Sequence, residues 1–569
     1  MFFKVNRPAQ EPTAREGRVE PAVKSNSHSP IRLDRAFVIQ ALILIIGFLA
    51  WGGWAPGVNE SHYLTKAKHF WNPDWCPGDI FLSASPSHWL FYVSTGWLTL
   101  FFSLATTAWI GRIAVAVLLA VGWLRLCRQI NPGTGFPLVA AMLFLIANDR
   151  FHMAGEWIVG GVEAKGFAYF FVLLALEQLM KRDWNKVWIW IGCASAFHVL
   201  VGGWAAVAMV FCRLTSFCTA ESRISGARVD SDKTRWSKET GFLAIGFAIA
   251  LIGIVPPLVS NSGSDWHTTM LASTIYVKQR ISHHLDFSRF ATMRVASFVT
   301  MVVLWLALSR MLVFHKKFRR LNWFCLGTLF ISVGGLLLSG MGETSNGMDS
   351  QLAVVLLRLY WFRLSDFAIP LATSLMVTML AWELGMNANH ASSRIAAVVF
   401  TSLIGIAFGL AAFEKLEDPR PIADQRSLPS YKDDTLRTEQ TFRNWRRVCE
   451  WIKLNTPGEA RFLTPFNQQT FKWYAGRTEI VNWKDIPQQN DQILRWSRLV
   501  EIFCKPQLDS EFGLFSYSDL ELRSLAREVG ADFIVIPQRQ VDLLEHPTNL
   551  RQVYPEDPTQ KTTYAVFKF

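Results

Sequence analysis

Long apolar runs fill the first 413 residues and limit the chain to one class of fold. A helix that crosses a bilayer needs about 20 predominantly apolar residues. Ala36–Trp54, Ile110–Leu126, Pro137–Ala147, Phe167–Met180, Gly241–Val259, Val295–Leu312, Trp323–Leu338, Phe367–Leu384 and Ile395–Phe413 reach or approach that length. Val187–Arg213 is too long for one crossing and is interrupted by Gly202-Gly203, so two half-spans meeting at His198–Gly203 are expected. The pattern predicts an α-helical polytopic membrane protein of about 11 spans. Composition agrees. Hydrophobic residues make up 51% and charged residues only 18%, against about a quarter charged in soluble domains. The 24 tryptophans and 42 phenylalanines suit bilayer interfaces, where an aromatic body and a polar edge are both accommodated.

The loops sort by charge. Basic residues gather in the N-terminal tail, Arg125–Arg128, Lys181–Lys186, Arg213–Lys238, His315–Arg320 and Asn387–Arg394. With the interrupted run counted twice, all of these fall on one side, the cytoplasmic side by the positive-inside rule. The formal net charge of +12 therefore reports topology, and no nucleic-acid partner is expected. Residues 1–35 are polar and rich in Arg, Pro and Ser, as in a disordered cytoplasmic tail. The membrane domain spans 36–413, with outer loops 57–106, 148–165, 260–293 and 342–366. Segment His88–Phe102 is read as an amphipathic or re-entrant helix at the outer interface, because another crossing there would put Arg125 and Arg128 outside. The eight cysteines form no CxxC pair, so neither a disulfide nor a zinc site is expected.

From about Glu414 the character changes. Helical patterns (Arg443–Leu454, Gln488–Phe503, Asp519–Val529) alternate with strand-like runs (Arg461–Thr464, Glu479–Trp483, Asp532–Ile536, Thr563–Phe567). That alternation predicts a C-terminal α/β soluble domain, residues 414–569, with a small, partly parallel sheet. An odd number of crossings places it outside the membrane. The chain contains no GxGxxG and no P-loop pattern, so no nucleotide site is expected.

Polar residues at the outer loops carry the candidate chemistry. Asn59-Glu60-Ser61-His62-Tyr63 follows the first span directly. There a carboxylate can meet both water and a bilayer-held substrate. Glu163 and Lys165 open a later span, and ionisable groups at membrane depth are functional candidates by default; a structural Glu163–Lys165 pair is the plainer alternative. His198 sits where the interrupted run breaks, a position suited to lining a cavity or capping a kink. Lys278, Arg280, His283 and His284 stand in the third outer loop, as phosphate contacts or as headgroup anchors. Arg358 and Arg363 end the fourth; a guanidinium binds phosphate through a bidentate fork, while Arg363 and Asp366 share a helical face and could simply pair.

The frame Asn59-Glu60-x-x-Tyr63, followed by a helix with Ala67, resembles the Asp-Glu-x-x-Tyr motif of the GT-C superfamily. These are integral membrane glycosyltransferases that use polyprenyl-phosphate-linked sugars. The architecture is also similar: many spans, interfacial helices in the first outer loop, and often an extracytoplasmic C-terminal domain. The chain looks similar, too, to bacterial multi-pass membrane proteins without assigned chemistry, and a bacterial inner membrane is the expected location. Where the family has its leading Asp, this sequence has Asn59, which cannot act as a base. The resemblance therefore implies Glu60 as the catalytic carboxylate, with Glu163 as a second acid. It implies a lipid-linked sugar as partner, held by Asn59, Tyr63, Lys165, His198 and the basic outer residues above. It assigns no metal ligand and leaves open a divalent cation as cofactor. Two other readings remain. A transporter or lipid flippase would also carry broken helices and membrane-depth charges, although no paired inverted halves are evident. A non-catalytic membrane scaffold could use the tail to bind a partner.

Overall fold

A computed structural model describes residues 34–218, 229–344, 347–387, 391–431, 434–557 and 560–569. Of the expected N-terminal tail, only Asp34 and Arg35 fall among these. Each apolar run is helical: Arg35–Trp51, Leu104–Ile130, Phe136–Arg150, Ala164–Lys181, Trp184–Phe197, Val199–Cys218, Val229–Asn261, Thr292–Met311, Lys316–Thr344, Arg363–Asn387 and Ala391–Glu417. Among the described residues, seven helices are long and apolar enough to cross a membrane. The molecule is thus a polytopic membrane protein. Helix Arg363–Gly385 sits at the centre, with 78% of its most apolar window buried, whereas Ala391–Glu417 has 11% and lies at the edge. Local signals set the boundaries. Asp34 and Ser103 cap their helices by accepting from the backbone N–H of Phe37 and Thr106, which satisfies donors that the first helical turn leaves unpaired.

Val187–Arg213 is two helices, as expected, but the break falls at His198 and not at the glycine pair. His198 adopts an extended conformation (φ −146°, ψ 100°) that ends the first helix, and the second runs continuously through Gly202-Gly203. The glycines serve close approach instead. A Cβ on Gly202 would lie 2.2 Å from the Ser195 nitrogen, and one on Gly192 would lie 2.2 Å from the Gly246 carbonyl oxygen. Backbones meet there, as small residues permit between membrane helices.

The polar loops gather at one end of the bundle. Loop 57–103 holds helix Glu60–Trp71 and the short helix Trp89–Gly96. The latter leads into exposed Trp97, Leu100, Phe101 and Phe102, an apolar surface suited to a membrane interface. Loop 262–291 holds helix Trp266–Thr274 and a π-helical turn, Ile275–Arg280. The opposite end carries Arg125–Glu177 (2.7 Å), Arg128–Asp34 (3.2 Å) and Arg213–Glu239 (2.7 Å) ion pairs.

The C-terminal region forms a five-stranded mixed sheet, with β1 (Arg461–Leu463), β2 (Thr478–Glu479), β3 (Phe533–Pro537), β4 (Arg551–Tyr554) and β5 (Tyr564–Lys568) in the order β2-β1-β3-β5-β4. β1 pairs in parallel with β2 and β3, and β5 runs antiparallel to β3 and β4. Helix Thr435–Asn455 buries Thr438, Thr441, Trp445, Val448 and Ile452, one face at helical spacing. Helix Asp519–Val529 begins with a Ser518/Glu521 capping box and ends at Gly530 (φ +68°), the left-handed position glycine favours. The strand Arg551–Tyr554 was not anticipated; its exposed, polar register gives little strand signal.

A buried ionic hub joins this domain to the first long loop. Lys472 lies between Asp79 (3.2 Å), Glu479 (3.0 Å) and Asp485 (2.5 Å), and Asp485 also meets His62 Nδ1 at 2.8 Å. Burial pushes the Lys472 ammonium down, but the three carboxylates outweigh it and hold it well above its usual range. Burial likewise opposes ionisation of Asp485, yet Lys472 and His62 keep that carboxyl well below the usual range. Glu479, for which burial dominates, is pushed up to about 7.

Candidate active site

Glu60, the expected catalytic carboxylate, is fully buried and fully bonded. Its Oε1 accepts from Arg112 Nε (2.6 Å) and Val162 N–H (2.7 Å); its Oε2 accepts from Arg112 Nη2 (2.5 Å) and Gly57 N–H (2.6 Å). Arg112 Nη1 donates in turn to the Gly53 carbonyl at 2.6 Å. A carboxylate with four short donors, two of them from one bidentate guanidinium, has no lone pair free for a substrate proton. Both Glu60 oxygens are thus already engaged, by Arg112 and by the Gly57 and Val162 backbone. Gly161 packs on its side chain, and a Cβ there would come within 2.9 Å of Cγ. Glu60 thus anchors the 160–163 backbone that carries Glu163.

Glu163 is the carboxylate left available. Its side chain is 3% exposed and stands 3.6 Å from Lys165 Nζ. Among the described residues its Oε1 has no hydrogen-bond partner. Burial pushes its carboxyl above the usual range, against the opposing pull of Lys165 and the neighbouring Asn59. Lys165 also lies over the Trp157 ring (3.7 Å) and 3.9 Å from Glu156.

Around Glu163 several expected residues converge. Asn59 Oδ1 accepts from Lys484 Nζ at 2.9 Å. The Tyr63 ring stacks on His88 (5.4 Å between centroids), and His88 lies against His198 (4.6 Å). His88 Nδ1 is buried and without a partner among the described residues; burial, then Arg363, lowers that imidazole to about 3, so it stays neutral at physiological pH. Arg363 meets Glu156 at 3.0 Å, donates to His198 Nε2 at 3.0 Å, and lies 4.1 Å from the Tyr360 ring centre. The Arg363–Asp366 pairing does not form. Asp366 instead accepts from the backbone N–H groups of Met153 and Ala154 at 2.9 Å each, pinning the loop that holds Glu156.

Other expected ligands serve elsewhere. Lys278 is paired with Asp286 at 2.6 Å. His284 bonds the Ala154 carbonyl, and its ring lies tilted against that of His283, 4.1 Å between centroids. Arg358 donates to Asn490 (2.7 Å) and the Gln488 carbonyl (3.2 Å), fastening the C-terminal domain to the membrane helices. Sequence reasoning missed His88, Arg112 and Lys484. Arg112 sits within an apolar run, where an isolated arginine is itself a signal of a buried partner. Nothing in the spacing marks His88 or Lys484.

Among the described residues no group of three or more His, Cys, Asp or Glu side chains is arranged to hold a metal ion. A small cavity of about 20 Å³ lies beside Arg112, lined by Phe48, Val115, Leu119 and residues Ile158 to Gly161.

A domain of unknown function, DUF6798, matches residues 443–502, a stretch that contains Lys472, Glu479, Lys484 and Asp485. No curated protein matches the chain. Among solved structures, the apo oligosaccharyltransferase of Archaeoglobus fulgidus is similar with a TM-score of 0.44 and 13% identity, over 88% of this chain and 69% of that one. The same enzyme tethered with an acceptor peptide containing the NVT sequon gives 0.43 and 13%, over 93% and 74%. The complex of that enzyme, AglB, with an inhibitory peptide and a dolichol-phosphate gives 0.40 and 14%, over 88% and 69%.

Proposed function

We propose that the chain is a membrane glycosyltransferase that moves a sugar from a polyprenyl-phosphate donor to an acceptor hydroxyl on the outer face of the membrane. The observation that carries this is Glu163, a buried carboxylate with an unpartnered oxygen, set among cations at the end of the bundle where the C-terminal domain docks. In the step, the acceptor oxygen attacks the anomeric carbon and its proton passes to Glu163. The bond from that carbon to the phosphate oxygen breaks, and the lipid phosphate leaves with the electron pair. Lys165 and Arg363 stabilise the charge that develops on the leaving group. Asn59-Glu60-x-x-Tyr63 supports the assignment through its resemblance to the GT-C motif, with Glu60 holding the loop and Glu163 taking the proton.

The test is transfer from a panel of polyprenyl-phosphate sugars by the purified full-length protein, measured across pH. A base works deprotonated, and burial raises this carboxyl. The rate should therefore rise with pH through a midpoint above the ordinary glutamate value of about 4.3, and be lost as pH falls below that midpoint. A protein that transfers from no donor removes the proposal and leaves the flippase and scaffold readings.

A further inference from the structure

Asn59 stands at the N-cap of helix Glu60–Trp71, yet its side chain makes no cap hydrogen bond. Asparagine favours that position because its side-chain oxygen can accept from the open N–H groups of the first turn. Here the oxygen is drawn elsewhere. Lys484, in the C-terminal domain, donates its Nζ to Asn59 Oδ1 at 2.9 Å. An ammonium carries only donors, so the amide atom facing it is the oxygen, and Nδ2 is left for the other side. Glu163 is the neighbour that it serves. Asn59 holds that carboxyl down against burial, the action of a donor on a carboxylate. Glu163 Oε2 stands 3.6 Å from Lys165 Nζ, and Oε1 is buried with no partner among the described residues. Of the charged groups around Glu163, Lys165 and Lys484 favour its ionised form and Glu156 opposes it; the Tyr63 hydroxyl also feels its charge. Lys484 is firmly placed. Arg280 Nε donates to the Trp483 carbonyl at 2.6 Å, and the next residue, Asp485, is held by Lys472 at 2.5 Å.

We propose that Asn59 is a positioning residue for Glu163: Lys484 fixes its amide, the amide donates to Glu163, and Oε1 is left open toward the acceptor. An aspartate at position 59 would keep Lys484 but set a second negative charge against Glu163, so the arrangement requires the amide. Through these contacts the docked C-terminal domain sets the state of a carboxylate in the membrane domain. That Glu163 is the base rests on the transferase reading above; the contact between Lys484, Asn59 and Glu163 does not.

The experiment follows the Glu163 carboxyl by infrared difference titration of the full-length protein in phosphatidylcholine nanodiscs. Its band is the one that Glu163→Gln removes. Asn59→Leu should raise the Glu163 midpoint by about one pH unit, and Asn59→Asp by more, because a like charge then replaces a donor. Lys484→Arg should keep the wild-type midpoint, and Lys484→Met should raise it. In an Asn59→Leu background Lys484→Met should move it less, since Lys484 then has no amide to hold. A residue that only holds the fold would lower the melting temperature and leave the midpoint in place. Should Asn59→Leu not fold, Asn59→Asp, which keeps an acceptor for Lys484, decides. A Glu163 midpoint unchanged in the Asn59 variants overturns the proposal. The titration needs no turnover, so a protein that transfers no sugar fails the transferase reading alone.

Discussion

Glu60 shows how far surroundings decide what a side chain does. The same carboxylate that reads as a catalyst from its place after the first helix is, once folded, the acceptor of four donors. Removing one partner of a buried pair leaves an uncompensated charge, at a cost of about 3–5 kcal/mol. Glu60→Gln should therefore lower stability by about that much, read as a fall in denaturation midpoint, and Glu60→Gln with Arg112→Met should recover part of it. An unchanged midpoint in the single variant would deny the anchor role. The motif located the right stretch of chain, because a polar run just past an apolar one must lie where the bundle meets water. It could not show that Arg112, 52 residues on, turns into that stretch, or that Glu163 is left with an open oxygen. Those facts depend on how helices pack, not on local spacing.

At the level of elements, the helices were legible because apolar length is a strong and local signal. The break at His198 was expected within a few residues, but the glycine pair drew attention to the wrong place; Gly202 marks the contact with Ser195, not the kink. Strands in the C-terminal domain were legible where they are apolar, as in Phe533–Pro537, and missed where they are polar, as in Arg551–Tyr554. The hub that docks this domain was invisible, since Asp79 and Lys472 are far apart in sequence. Lys472 is 6% exposed and faces three carboxylates. Lys472→Met should strand those charges and cost about 3–5 kcal/mol. The domain should loosen from the loop holding His62 and Asp79, seen as faster proteolysis between the last membrane helix and the first strand. Proteolysis at the wild-type rate would show that apolar contacts alone hold the docking.

At the scale of the whole molecule, among the described residues, the Arg125, Arg128 and Arg213 ion pairs lie at the end of the bundle opposite the polar loops, the sorting that the positive-inside rule demands of a chain read from its charges. A reporter fused after Phe569 should be active only on the outer side of the membrane; activity in the cytoplasm would invert the topology and remove the outer-face reaction. The central claim, that Glu163 handles the proton while Glu60 holds its loop, separates the two carboxylates in a single preparation. The measurement is sugar transfer and melting temperature recorded side by side for Glu163→Gln and Glu60→Gln. Glu163→Gln should melt like the wild type and lose about two to four orders of magnitude in rate, while Glu60→Gln should melt lower. Transfer at the wild-type rate by Glu163→Gln would contradict the account, as would a Glu60→Gln protein that is fully stable yet inactive.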